Sequence, residues 1–512
     1  MAVLVRGKHV VTDPARLPGP GLIADGAVLV EESRVVETGP YAALAVRHPN
    51  ARTLGSPRHM VIPGLVNAHS HGRGLNAAQL GVPDDHLERW ILDYAAMRPL
   101  DAYLDTLHAN LRAIRAGVTT VIHSGYARVA GAMEQETRDA LRAYREAGLR
   151  VAYAVGYDDA FSLVHGDQER FAASLPPALG SRVRAAFPPA RHEDTERAFA
   201  FIAELAEAHR DEGRVRILCG PSWTAWCSDA LLARTAEFAA DQGLGIHTHA
   251  LESPYEREAA RRRHDGTVVD SLERLGVLGA RTSLAHGVWL TDEEILLCAQ
   301  TGTSLCHCPG SNLRLRNGIA PLRRFWQGGL NVGIGMDSWS LDGAEDMLAE
   351  MRLAWSLARL PAGHRFADGP AAHDILRMAT LGGAEASTFG GKLGSLVAGA
   401  PADLVILDFD AMTAPHIRAE VDPVVALLHL GCAAHVDSVM VAGELVLDRG
   451  RFTGIDADEI GRRLAALAAT APSAAEAMFS ALMAELRPHV DAYYKDWPDL
   501  TGQSYHMVNS RD

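Results

Sequence analysis

From residue 61 onward the chain repeats one unit: a short apolar or β-branched run, a polar loop, an amphipathic stretch and a glycine. The runs are "VIPGLVNAHSH", "TTVIHSG", "RVAYAVGY", "RVRILCGPSW", "GIHTHALE", "TSLAHGVWL", "GTSLCHCP" and "NVGIGMDS". Between them, stretches such as "DTLHANLRAIRAG" and "ALLARTAEFAADQG" return an apolar side chain every three or four residues, the period of a helix with one buried face. Gly117, Gly148, Gly243, Gly302 and Gly329 each stand between such a stretch and the next run, where a left-handed stop is wanted. Thr291 and Glu294 in "TDEE" have the spacing of a capping box. Eight repeats of this kind predict an α/β fold, a closed (β/α)8 TIM-type barrel. The rival, an open doubly wound sheet, would need a glycine-rich phosphate loop after the first run, and there is none.

The flanks carry a different pattern. Residues 1–60 hold extended runs such as "GAVLVEESRVVETG", and residues 393–455 return to them in "PADLVILD" and "VDSVMVAGELVLDRG". Neither piece is long enough to bury a core alone, so both are expected to pair into one small composite β-sandwich beside a barrel spanning 61–392. Residues 456–512 begin with an alanine-rich helical pattern and end in "DAYYKDWPDLTGQSYHMVNSRD". The aromatics of this helical tail are expected to pack on the body or on a second subunit, in a homodimer or larger homo-oligomer.

Charge narrows the partners. With 49 basic against 63 acidic side chains the formal net charge is -14, which argues against nucleic acid and anionic membrane and leaves a small-molecule substrate. The start, "MAVLVRGKHV", lacks the apolar core and cleavage site of a secretion signal, and no run is long enough to span a bilayer, so a cytoplasmic protein is expected. Six scattered cysteines without a C-x-x-C give no disulfide framework. Cys306 and Cys308, flanking His307, read as a buried pair of small apolar residues.

In a TIM-type barrel the reactive groups gather at the C-terminal ends of the strands. His69 and His71 sit two apart on the first strand and so share a face. One H-x-H is expected by accident in a chain this rich in histidine, but later strand ends add His249, His286 and Asp337. Imidazole nitrogens and a carboxylate suit a borderline divalent cation such as zinc that keeps one position for water. Any one of these residues alone reads as well as a hydrogen-bonded structural group; their joint arrival at strand ends is what points to a site. His247 is taken as supporting, because His249 has the better-placed acid, Glu252, three residues on. In a dry pocket that carboxyl would hold its proton to higher pH and carry it to a leaving group.

The stretches "PGLVNAHSH", "HTHALES", "LAHGVWL", "HCPGSNLRLRNGIAPL" and "GIGMDS" resemble the successive signatures of the amidohydrolase superfamily. Within it they are most similar to the branch of cytosine deaminases, S-adenosylhomocysteine deaminases and s-triazine hydrolases. "ATLGGAEASTFGGKLGSLVAGAPADLVILD" resembles the passage from barrel to sandwich in that branch, so the resemblance runs from about residue 1 to 455. It implies that His69, His71, His249 and Asp337 hold the metal, that Glu252 shuttles protons, and that His286 polarises the substrate or orients the attacking water, with Asp337 accepting the water proton. Two-metal relatives usually bridge their ions through a carbamylated lysine on strand four. Here lysine occurs only at Lys8, Lys392 and Lys495, so one divalent ion per subunit is expected, zinc first and iron second.

The implied reaction is metal-dependent hydrolysis of a carbon–nitrogen bond other than a peptide bond. Its foremost form releases ammonia from an aminated nitrogen heterocycle of purine, pterin, pyrimidine or triazine type. The alternative is hydrolysis of a cyclic amide, or displacement of chloride or an alkylamine from a triazine; a non-catalytic scaffold of the same fold is a distant third. Flat heterocycles favour aromatic walls with a few polar donors, so Arg73, Gln79, Trp90, Tyr157, Trp223, Asn312 and Trp339 are the expected substrate-binding residues, with Asn76, Tyr126, Trp226 and Arg314 beside them. Several deaminases of the branch carry a methionine and then an arginine–glycine step in the first loop. Here Leu80 precedes Gly81 and Arg73 lies next to the histidine pair, so a carboxylate- or ribose-binding role is not carried over.

Overall fold

The computed structural model describes residues 2–129, 131–188, 192–263, 266–338, 343, 345–360 and 369–497. Its centre is a sheet of eight parallel strands in sequential order, the expected TIM-type barrel. The strands are β1 (Leu65–Ser70), β2 (Val118–Ser124), β3 (Arg150–Tyr157), β4 (Val215–Pro221), β5 (Gly245–Ala250), β6 (Thr282–His286), β7 (Ser304–His307) and β8 (Val332–Ile334). Closure falls on the residues that matter most for function. The Asp337 N–H donates to the His69 carbonyl at 2.8 Å, and the Met336 N–H donates to Asn67 Oδ1 at 2.9 Å. Glycine makes that approach close: a Cβ on Gly333 would fall 2.6 Å from Ala68 Cβ, and one on Gly335 would fall 2.9 Å from His69 Cβ. All five of the glycine stops anticipated from the sequence have positive φ, and the Thr291–Glu294 capping box forms reciprocally.

A second eight-stranded sheet is built from both chain ends. Residues 3–63 supply one half and residues 404–452 the other, joined where Leu404–Asp408 runs antiparallel to Arg52–Pro63. Val5, Val28, Val61, Leu404 and Met440 from the two halves share one buried cluster. The "VIP" of the first expected barrel run belongs to this sheet, and β1 begins only at Leu65. Gly64 stands at the break, where a Cβ would lie 2.1 Å from Thr119 Oγ1. A buried ion pair fastens the two bodies: Arg150 on β3 donates to both oxygens of Asp403 at 3.0 and 3.1 Å, while Asp403 also accepts from the Ala442 N–H.

The tail forms two helices, Ala457–Ala468 and Ala474–Tyr494. The longer one buries Leu482, Met483, Leu486 and Val490 against Leu92, Phe171 and Leu179. Arg487 bonds Asp93 and Asp85, and the backbone of His165 is gripped by the hydroxyls of Tyr494 and Tyr493, each at 2.7 Å. Tyr493, Tyr494 and Trp497 thus pack on the body. Among the described residues no helix is long and apolar enough to cross a membrane.

Candidate active site

Four side chains from β1, β5 and the end of β8 converge. One ligand atom from each of His69, His71, His249 and Asp337 lies within 4.8 Å of all the others. Asp337 Oδ1 stands 3.1 Å from His69 Nε2 and 3.3 Å from His71 Nε2, and His249 Nε2 is 3.3 Å from His71 Nε2. The opposite ring nitrogens settle the tautomers. His71 Nδ1 meets the Ser124 carbonyl at 2.9 Å and His249 Nδ1 meets the Ser222 carbonyl at 2.6 Å; a carbonyl can only accept, so each Nδ1 carries the hydrogen and each Nε2 offers a lone pair. His69 Nδ1 is 2.8 Å from His247 Nε2, whose own Nδ1 is 2.8 Å from Ser283 Oγ. His247 therefore orients a ligand.

Burial pushes His69 and His71 well below the ordinary imidazole range and brings His249 down to about 4, so all three are neutral at pH 7. Lone pairs and a carboxylate oxygen crowded together are unfavourable unless a cation joins them. His69 Nε2 and Asp337 Oδ1 are buried and have no hydrogen-bond partner, as expected of atoms reserved for a metal. Three imidazoles and one carboxylate fit a divalent cation with a further position open.

Beside the cluster lie Glu252 and His286. Glu252 is buried, accepts from Asn317 Nδ2 at 2.9 Å, and places Oε2 3.7 Å from His286 Nε2. Its carboxyl is held well above the usual carboxylate range, first by burial and then by Asp337, Glu256 and Glu88. His286 has Nδ1 3.0 Å from Asn312 Oδ1, while its Nε2 is buried and unpaired 4.0 Å from Asp337 Oδ2. Ser311 Oγ donates to that same Oδ2 at 2.6 Å. The stretch "SNLRLRN" after β7 thus steadies Asp337, His286 and Glu252 in turn through Ser311, Asn312 and Asn317. His286 and Asp337 both adopt left-handed backbone, with φ of 73° and 57°, a conformation costly for side-chain-bearing residues and concentrated at functional sites.

A cavity of about 500 Å³ opens over this cluster and reaches His71, His249, Glu252, His286 and Asp337. Of the expected wall residues, Trp90 and Trp223 line it, with Tyr126 and Trp226. Others do not. Arg73 follows Gly72, whose φ of 63° reverses the chain, and its guanidinium turns to the Tyr126 carbonyl at 3.2 Å and to Asp105 at 3.6 Å. Gln79 is spent on a helical turn, accepting from the Asn76 N–H, and with Asn76 and Arg314 it lines a separate groove. Tyr157 bonds Thr235 on the surrounding helix Asp229–Gln242, so it points away from the barrel centre, and Asp158 lines the cavity in its place. Asn312 reaches His286 and not the cavity. Trp339 lies outside the described residues. Asn317, Asp158, Phe161, Phe187 and Phe479 had no sequence signal, because nothing local ties them to the histidines.

The fold and the ligand cluster define a class, and the sequence matches it: residues 60–446 correspond to the Amidohydrolase family, to which the chain belongs, as a hydrolase of carbon–nitrogen bonds. Residues 26–51 correspond to the imidazolonepropionase-like composite domain of bacteria. The chain is 31% identical over 463 residues to a 5-methylthioadenosine/S-adenosylhomocysteine deaminase of Moorella thermoacetica, covering 89% of this chain and 97% of that protein. It is 31% identical over 451 residues to a 5'-deoxyadenosine deaminase of Methanothermobacter thermautotrophicus, covering 86% and 93%. Among solved structures it is similar to an adenosine deaminase from Xanthomonas campestris with bound zinc, with a TM-score of 0.75, 27% identity and coverage of 91% and 97%.

Proposed function

We propose that this enzyme replaces the exocyclic amino group of an aminopurine-type heterocycle by oxygen and releases ammonia, using one zinc ion held by His69, His71, His249 and Asp337. The observation that carries the proposal is Glu252, a buried carboxyl kept protonated beside four converging ligands at the base of an aromatic-lined cavity. A cation held by those ligands would acidify a water beside it, lowering the water pKa from about 15.7 toward about 7. Asp337 takes a proton from the attacking water, its Oδ2 fixed by Ser311 and its Oδ1 turned to the cluster. His286 holds the incoming oxygen in line through Nε2, its ring set by Asn312. Glu252 protonates the ring nitrogen as water adds to the carbon, takes the remaining proton from the new hydroxyl and passes it to the departing amine, and is reset by the proton held on Asp337; water is consumed and ammonia leaves. Trp90, Trp223, Tyr126 and Trp226 offer flat faces to the ring.

The deaminase names of the similar proteins support this reading, and the lack of any lysine between residues 9 and 391 supports a single ion. The net charge of -14 and the scattered cysteines are in keeping with a cytoplasmic enzyme of small molecules. The test is release of ammonia from a panel of aminopurines, pterins, pyrimidines and triazines, with metal analysis of the same sample and loss of turnover on chelation. Formation of chloride, alkylamine or a ring-opened acid without ammonia would overturn it.

A further inference from the structure

The cavity continues beyond the ligand cluster. Trp226, Phe161, Phe187 and Phe479 form a run of rings along its wall, with successive centroids 4.7, 5.7 and 5.7 Å apart. Phe479 comes from the helix Ala474–Tyr494, whereas the family match ends at residue 446. That helix is not loosely attached. Arg487 is paired with Asp85 and Asp93, and Tyr493 and Tyr494 clasp the His165 backbone. Phe161, Phe187 and Phe479 are each only half-buried, which leaves apolar area free for a ligand.

Among the described residues, the charges along this wall do not assemble an anion site. Arg128 is the arginine that lines the cavity, and its Nη2 already donates to the carbonyls of Tyr94 and Met97 at 3.0 and 2.6 Å, with the guanidinium 4.2 Å over the Tyr94 ring. Asp158, next to the end of β3, brings a carboxylate into the same wall. A carboxylate or phosphate on the substrate would lose its hydration facing Asp158, with Nη2 of Arg128 already committed to two carbonyls, and an apolar group would cover the three phenylalanines.

We propose that Phe479, with Phe161 and Phe187, forms a distal subsite that takes an uncharged apolar substituent carried by the heterocyclic substrate and rejects an anionic one. The proposal rests on the deaminase reading above and adds which members of the substrate class are accepted. It is tested on the metal-loaded full-length enzyme with adenosine, 5'-methylthioadenosine and adenosine 5'-monophosphate, and by calorimetric binding of the three corresponding deaminated products. The expected order of kcat/KM and of binding is methylthio above parent above phosphate, with steps of about tenfold. Phe479→Ala should cut the methylthio-to-parent preference about tenfold through KM, with kcat little changed, while Phe479→Leu keeps most of it. Equal handling of the methylthio and phosphate ligands, or equal loss on all three ligands in Phe479→Ala, would overturn the subsite. Turnover and binding separate the two readings. If neither these ligands nor any member of the heterocycle panel releases ammonia the deaminase reading fails, and the subsite then stands only if the methylthio product binds best and Phe479→Ala abolishes that preference; failure to bind overturns it too.

Discussion

Replacing His247 by alanine should weaken the metal centre without touching a ligand. His69 and His247 are 0% and 1% exposed, and the 2.8 Å contact from His247 Nε2 is the bond that fixes His69 Nδ1. Removing the acceptor strands a buried N–H, a loss of about 1–3 kcal/mol. It also frees the imidazole to rotate its Nε2 away from Asp337 Oδ1, now 3.1 Å distant. Loss of such an outer partner typically weakens a metal site 10–100-fold, or about 1.4–2.8 kcal/mol. The assay is competition for zinc between the protein and a chromophoric chelator, with melting curves of the metal-free forms run alongside. His247→Gln, which returns an acceptor, should recover part of the affinity, and Ser283→Ala should lose less than His247→Ala because it acts one bond further out. A His247→Ala protein that folds and holds zinc within twofold of the parent would refute the tautomer chain from Ser283 to His69.

Other outcomes follow from the same geometry. Glu252→Gln should keep its metal and fold but lose about 10²–10⁴ in kcat, read by single-turnover ammonia release, since the acid and not a ligand has been removed. Asp403→Ala should lower stability by about 3–5 kcal/mol in urea unfolding, because it leaves Arg150 buried and unpaired, and the double replacement Arg150→Met with Asp403→Leu should lose less. Asp158 has its carboxyl pushed up to about 6 by burial and by Asp159. Against an unfolded value near 3.9, its protonated form stabilises the fold fully below about pH 4, and that contribution is lost as pH rises through about 6. Asp158→Asn should therefore gain roughly 3 kcal/mol over the parent at pH 8 and nothing at pH 4, measured by denaturant melts at both.

The parts of the site that could be recognised from the chain are those whose positions obey a local period. His69 and His71 share a strand face, and His249, His286 and Asp337 each end an apolar run, so alternation and strand order suffice to align them. The same rule misplaces Tyr157 by one residue: with a period of two, Tyr157 faces the helix bearing Thr235 and Asp158 takes the inner face. Arg73 misleads for another reason, since closeness to His71 along the chain is undone by the left-handed turn at Gly72.

Hydrophobic periodicity, glycine stops and strand-end histidines are properties of neighbouring residues, and they were enough to specify the barrel, the composite second sheet and the ligand types. Tertiary folding alone decided which groups steady those ligands: the carbonyls of Ser124 and Ser222, the 2.9 Å bond from Asn317 to Glu252, and the ring of Phe479 brought in from the tail. Backbone carbonyls occur at every residue and carry no sequence signature. Contacts between segments hundreds of residues apart depend on packing that no local pattern encodes.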